Sequence, residues 1–191
     1  MVFRLTGKVL DGRHREIVRL GHPVLRQRSE AVPEERFGTR ALRDLGRDLL
    51  RTMKEDSGVG LAAPQIAVPL RVFAYYVPGD EDDVEVAPHV VVNPVLEFQG
   101  EPVDLGWEGC LSIPGLRGMV PRYPGLRLTG RTVDGNPLEI QAEDFHARVI
   151  QHEFDHLDGV VFLDRMVDMR SLAFEEEWDR HGEKHPGDRE V

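Results

Sequence analysis

Asp144-Phe145-His146-Ala147-Arg148-Val149-Ile150-Gln151-His152-Glu153-Phe154-Asp155-His156-Leu157-Asp158 is the stretch on which the fold turns. Val149, Ile150, Phe154 and Leu157 recur at helical spacing and give it one apolar face. Asp144 can cap its start and Gly159 can stop it. The spacing therefore predicts a helix over Asp144 to Asp158. On such a helix His152 and His156, at i and i+4, share a face. Both imidazoles can reach one metal ion, with Glu153 beside the open coordination position. Chance alone gives His-Glu-x-x-His in about 0.03 of chains of this composition. The pattern points to a metal without settling it, the alternative being a helix with two exposed or core-satisfied histidines.

A catalytic divalent ion typically takes three protein ligands and keeps one position for water. The third ligand has two sources. Downstream of the helix stand Asp158, Asp164 and Asp168, in the manner of an HExxH peptidase. Upstream stands Cys110, in Trp107-Glu108-Gly109-Cys110-Leu111-Ser112-Ile113-Pro114, where glycine and proline let the backbone come close to a site. A lone cysteine is usually a small buried hydrophobe. Beside a His-x3-His pair it becomes the stronger candidate, because thiolate is the best anionic ligand for a borderline metal.

Around this centre the rest reads as mixed structure. Leu42, Leu45, Leu49 and Met53 predict an amphipathic helix over Thr39 to Glu55, capped by Thr39 and stopped by Gly58. Arg71 to Val77 reads as a strand, and Val90 to Phe98 as an edge strand interrupted at Asn93-Pro94. Leu126 to Thr132 and Leu138 to Gln141 form a hairpin through Asp134-Gly135. Asp80 to Asp83 is a solvated acidic loop. A third helix is expected over Ser171 to Arg180, anchored by Leu172, Phe174 and Trp178. With few βαβ alternations, the fold class is α+β.

The 191 residues suit one domain, residues 1–181, followed by a charged tail over 182–191. One cysteine excludes a disulfide scaffold, and a net charge of −10 excludes a nucleic-acid binder that relies on overall positive charge. No run approaches the apolar length that spans a bilayer. Met1 to Lys8 lacks the features of a signal peptide. The expected compartment is the bacterial cytoplasm, an organellar form without its leader being the alternative.

Three segments match one family together and in order. Gly58-Val59-Gly60-Leu61-Ala62-Ala63-Pro64-Gln65, Glu108-Gly109-Cys110-Leu111-Ser112 and Gln151-His152-Glu153-Phe154-Asp155-His156-Leu157 resemble the three signature motifs of the peptide deformylases. Gly21-His22-Pro23-Val24-Leu25-Arg26 is similar to that family's N-terminal segment, and the similarity runs from about Glu16 to Met166. Ala147-Arg148-Val149-Ile150 resembles the type 1, organellar-type branch, which bacteria also possess. Many other bacterial members carry an apolar residue where Arg148 stands.

The resemblance implies an α+β fold whose HExxH helix is enclosed by antiparallel β-sheets. It implies removal of the N-formyl group from formyl-methionyl nascent polypeptides by a single divalent metal, natively Fe²⁺, with Zn²⁺, Ni²⁺ or Co²⁺ also accepted. Cys110, His152 and His156 would be the ligands and Glu153 the general base. The Gln65 amide and the Leu111 backbone N–H would face the formyl oxygen. Glu108 would orient the Cys110 loop through Arg122. Val59, Gly60, Phe145, Arg148 and Val149 would serve the substrate, with Arg117 near the groove. Core packing is the alternative for Phe145, a surface arginine for Arg117, and a polar loop residue for Gln65. Nascent peptides are the expected partner, with transient ribosome contact, no membrane and a monomeric chain. An HExxH endopeptidase with a structural Cys110, and a silent metal-binding module on the same fold, are the competing functions.

Overall fold

The computed structural model describes residues 11–79 and 84–182. Met1 to Lys8, the acidic stretch Asp80 to Asp83 and the tail beyond Gly182 lie outside the described residues. Helix α1 (Arg40–Glu55) begins as its sequence dictates: the Thr39 hydroxyl accepts from the Leu42 amide, meeting one of the amides a helix start leaves unpaired. Leu42, Leu45, Leu49 and Met53 are all buried in the main core. The chain leaves α1 through Asp56, and the Gly58 amide closes back on the Met53 carbonyl at 2.9 Å.

The first sheet is antiparallel, in the order β1-β2-β3-β6-β7, with β1 (Gly60–Ala62), β2 (Val72–Pro78), β3 (Val84–Gln99), β6 (Gly125–Arg131) and β7 (Pro137–Glu143). Val72 to Val77 are buried without alternation, because both long helices pack against this strand. The expected edge strand over Val90 to Phe98 lies in the sheet's interior, between β2 and β6. The Asn93-Pro94 interruption is a bulge there. Asn93 sits at φ +51° and its side chain closes on the Val32 amide (2.8 Å) and carbonyl (2.9 Å), so the missing proline amide falls where the register shifts. The β6–β7 hairpin forms through Asp134-Gly135 as read.

A second sheet, β4-β5-β8, was not legible as strands: β4 (Asp104–Cys110), β5 (Ile113–Arg122) and β8 (Ala173–Phe174). Gly106, Gly109 and Gly118 lower the local strand propensity, and cross-strand pairing from Asp104↔Arg122 to Gly109↔Arg117 overrides it. The third helix is shorter than expected. After the single turn α3 (Phe162–Arg165), helix α4 covers only Glu175–His181. Phe174 belongs to β8 and is exposed, so Trp178 alone anchors α4, edge-on to Trp107 with ring centroids 5.4 Å apart.

Helix α2 (Asp144–Leu157) is the decisive stretch. Asp144 does not cap it: Glu143 holds the N-cap position without a side-chain bond, and Asp144 is the first helical residue, at φ +49°. Gly159, at φ +75°, ends the helix in a conformation that L side chains resist. Every residue from Ala147 to Glu153 is buried, as are Asp155, His156 and Leu157. A helix buried on nearly all sides is an interior element. The first sheet packs against it, and Arg148 and Arg122 tie it to the second.

Candidate metal centre

Cys110 is the last residue of β4, and His152 and His156 lie one turn apart on α2. Their ligand atoms lie within 4.8 Å of one another, with Sγ of Cys110 3.4 Å from Nε2 of His156. His152 Nδ1–H donates to Oε2 of Glu108 at 2.9 Å, which turns Nε2 toward Cys110, on the side where a metal could be held. A thiolate and two imidazoles converging at the floor of a cleft fit a four-coordinate ion such as Zn²⁺ or Fe²⁺ with one position left for water. Two buried atoms, Oε2 of Glu153 and Nδ1 of His156, have no hydrogen-bond partner among the described residues.

Behind the ligands lies a network of buried charges. Arg122 grips Glu108 with two parallel bonds (2.8 and 2.9 Å) and reaches Asp155 with a third (2.7 Å). Arg165 closes on Asp155 from the surface side at 2.7 and 3.1 Å. Arg148 adds a bond to Glu108 at 3.1 Å. Burial alone would raise the Glu108 carboxyl, but the Arg122 charge and hydrogen bonds outweigh it and hold Glu108 far below the usual carboxylate range. Burial lowers His152, yet its bonds to Cys110 and Glu108 carry it well above an ordinary histidine. Burial, with the nearby His152 and Arg122 cations, takes His156 well below one.

Glu153 sits differently. Its buried carboxyl is pressed against Gly60 of β1, so closely that a Cβ there would stand 2.2 Å from Oε1. Burial, aided by the like charge of Glu108 and opposed by His152 and Arg122, pushes its pKa up to about 7. Gln65 lies in the 3₁₀ turn Ala63–Ile66. Its Oε1 accepts from the Ala62 amide at 2.7 Å, which turns Nε2 toward Ser112 Oγ (3.3 Å) and Cys110 Sγ (3.6 Å).

The cleft above the ligands has a volume of about 690 Å³, and Val59, Gly60, Gln65, Leu111, Arg117 and Glu153 are among its lining residues. The expected substrate residues Phe145, Arg148 and Val149 are not among those lining it. Val149 is fully buried in the main core, against which Phe145 packs. Arg148 turns its guanidinium onto β4 and β5. The downstream aspartates are engaged elsewhere: Asp158 with Arg71 (2.7 Å), Asp164 with Arg26, and Asp168 with Arg170 (2.8 Å). The sequence reading missed Asp155 and the structural part of Arg148. A signal was present, since Arg148, His152 and Asp155 at i, i+4 and i+7 share one helix face.

The chain is similar to known proteins over most of its length. The polypeptide deformylase family model matches residues 14–171. Peptide deformylase 1 of Prochlorococcus marinus (strain MIT 9313) is 44% identical over 172 residues, which is 88% of each chain. Peptide deformylase 1 of Bordetella pertussis is 43% identical over 84% of this chain and 92% of its own. The Met-Ala-Ser-bound crystal structure of the class I type b peptide deformylase from Acinetobacter baumannii superposes with a TM-score of 0.75 at 33% identity, over 81% of this chain and 99% of that one. Agreement of this extent leads to one conclusion: the chain belongs to the polypeptide deformylase family.

Proposed function

We propose a division of labour among the residues of this cleft for the reaction this peptide deformylase performs, hydrolytic removal of the N-formyl group from newly synthesised polypeptides. The observation that carries it is the convergence of Cys110, His152 and His156, brought by a strand and an enclosed helix to one point within 4.8 Å. These three would hold the divalent ion, natively Fe²⁺, with Zn²⁺, Ni²⁺ or Co²⁺ able to replace it. When bound, the ion supplies a Lewis acid and lowers the pKa of its water to near neutrality.

Glu153 moves the proton. Its Oε2, without a partner among the described residues, takes a proton from the attacking water and passes it to the departing amine nitrogen, a role suited to a carboxyl held at about 7. Gln65 Nε2 and the Leu111 N–H donate to the formyl oxygen as negative charge grows there. Strand β1 is the outer strand of its sheet, so Val59 and Gly60 offer backbone along which an extended peptide can lie as an added strand. That mode reads main chain and tolerates varied sequence after the first residue. Val59 and Leu111 supply apolar surface for the methionine. Arg117, stacked over Trp178 (4.3 Å) and paired with Glu175 (2.8 Å), stands at the rim. The chain works as a monomer in the bacterial cytoplasm, residues 1–181 forming one catalytic domain that touches the ribosome transiently. No described helix is long and apolar enough to cross a membrane.

The test is formate release from formyl-Met-Ala-Ser, with Fe²⁺ or Ni²⁺ under anaerobic conditions and metal content measured in parallel. Cys110→Ala should lose both bound metal and turnover. Full metal and full rate in that variant would refute the ligand set, and no turnover of wild type at full metal would leave a silent module.

A further inference from the structure

We propose that Arg148 is a positioning residue: it sets the cysteine-bearing strand β4 against the histidine-bearing helix α2, with Gly106 as the residue that makes room for it. The metal centre is assembled from two separate elements, and something must hold them in register. Arg148 lies one turn before His152 on α2 and is almost wholly buried. Its Nη2 donates to the Asp104 carbonyl (2.6 Å) and carboxylate (2.8 Å). Its Nη1 donates to the Val120 carbonyl (2.8 Å) and to Oε1 of Glu108 (3.1 Å), with the Gly106 carbonyl at 3.4 Å. One rigid guanidinium from the helix thus takes acceptors at three alternate positions of β4 and one of β5. Glu108, two residues before Cys110, in turn holds Nδ1 of His152 at 2.9 Å. The same side chain therefore bears on the placement of the thiolate and on that of the imidazole.

Gly106 completes the arrangement. A Cβ at this position would stand 2.7 Å from Cζ of Arg148 and 2.9 Å from both Nε and Nη2. The guanidinium is planar and pinned by its acceptors, so it has little freedom to retreat. Gly106 and Arg148 form a matched pair, which explains why the arginine faces the second sheet and does not line the cleft.

The inference rests on Cys110, His152 and His156 being the ligands. The experiment compares Co²⁺-substituted wild type with Arg148→Met, Arg148→Lys, Gly106→Ala and the double variant Gly106→Ala/Arg148→Met. Co²⁺ affinity is read by chelator competition and ligand geometry by the visible d–d spectrum. Arg148→Met should weaken Co²⁺ by about 10–100-fold, the usual effect of losing a residue that orients a ligand, and shift the d–d bands. Arg148→Lys should recover part of both. Gly106→Ala should reproduce the loss by displacing the guanidinium, yet cost little more once Arg148 is gone, a non-additivity that marks direct coupling. Wild-type affinity and spectrum in Arg148→Met, with a raised KM for formyl-methionyl peptides, would overturn the inference and return Arg148 to the substrate pocket. Should Arg148→Met not fold, a Gly106→Ala protein with wild-type affinity and spectrum overturns it equally. Wild-type protein that binds no Co²⁺ would overturn the ligand reading, and this inference with it.

Discussion

Gly60→Ala is the most informative single substitution outside the ligands. The added methyl would stand 2.2 Å from Oε1 of Glu153, 2.6 Å from Cδ and 2.7 Å from Cγ. Ordinary contact begins at 3.4 Å, so the carboxyl or the strand must yield by about 1.2 Å at the closest point (3.4 less 2.2). The strand is held, since Gly60 is paired with Tyr75 in the sheet and Glu153 stands on a buried helix, so the Glu153 carboxyl, which no hydrogen bond among the described residues pins at Oε2, is the group that moves. A displacement of about 1 Å at a group that must meet a reacting atom costs ~10²-fold in rate. Overpacking of this kind also lowers stability, by about 1–3 kcal/mol, so the assay belongs well below the melting temperature.

The readouts separate two roles for this glycine. If it makes room for Glu153, kcat falls ~10²-fold while bound metal stays complete. If its only role is to admit the peptide backbone, KM rises and kcat holds. Anaerobic formate release at saturating formyl-Met-Ala-Ser, with metal analysis on the same sample, decides. Wild-type kcat at full metal would refute the close-packing argument.

Other perturbations test the neighbouring groups. Glu153→Gln should keep its metal and lose ~10²–10⁴ in kcat, checked by metal analysis beside the formate assay. Gln65→Ala should cost ~10²–10³ in kcat with metal retained. Glu153 also sets a pH dependence in the chelated apoenzyme. Because burial raises its folded pKa from 4.5 to about 7, the folded state favours the protonated carboxyl. The stability this confers is full below pH 4.5 and lost as pH rises through 7, a change of ~3 kcal/mol. Urea unfolding of apoenzyme should show wild type falling relative to Glu153→Gln over that window, and parallel profiles would contradict the burial argument. In the iron-loaded enzyme, air should abolish activity with Cys110 as the oxidised residue, readable by mass spectrometry.

Local periodicity made α1 and α2 legible to within a residue or two, because each buries a face whose spacing is written in the sequence. It misjudged what surrounds them. Asn93-Pro94 reads as a strand edge because proline lacks an amide, but nothing local reveals that the Asn93 side chain takes over the bonding at Val32. The second sheet was hidden because glycine is a poor strand former, and two of its glycines answer to close neighbours instead, Gly106 to Arg148 and Gly118 to Met166, as Gly60 in the first sheet answers to Glu153. Such requirements are tertiary and have no local signature. The cluster of Cys110, His152 and His156 was legible for the opposite reason: the i, i+4 histidines carry their geometry in their spacing, and the motif around Cys110 matched as a block. The resemblance puts the Arg148 stem at the wall of the substrate pocket, whereas the acceptors that claim it lie 28 to 44 residues away in sequence.

The buried charges show what this arrangement secures. Glu108, Asp155, Arg122 and Arg148 are each nearly inaccessible to water. Burying such groups costs several kcal/mol per ion, and apolar side chains of equal volume would stabilise the fold at least as well. Stability does not account for them. Their common feature is orientation. Arg122 and Arg148 hold both oxygens of Glu108, Glu108 holds one nitrogen of His152, and that bond decides which nitrogen is left to coordinate. Removing a single partner would strand a charge with no water to accept it, so the network resists partial rearrangement. Replacing Glu108 by Gln tests this directly. The amide keeps one acceptor for the imidazole but turns an NH2 group toward an arginine, so it cannot satisfy two guanidinium groups and the imidazole together. Metal affinity should fall by about 10–100-fold although no ligand has changed. An unchanged affinity would show that the imidazole is held by the helix alone and that the charges behind it serve only to join the two sheets.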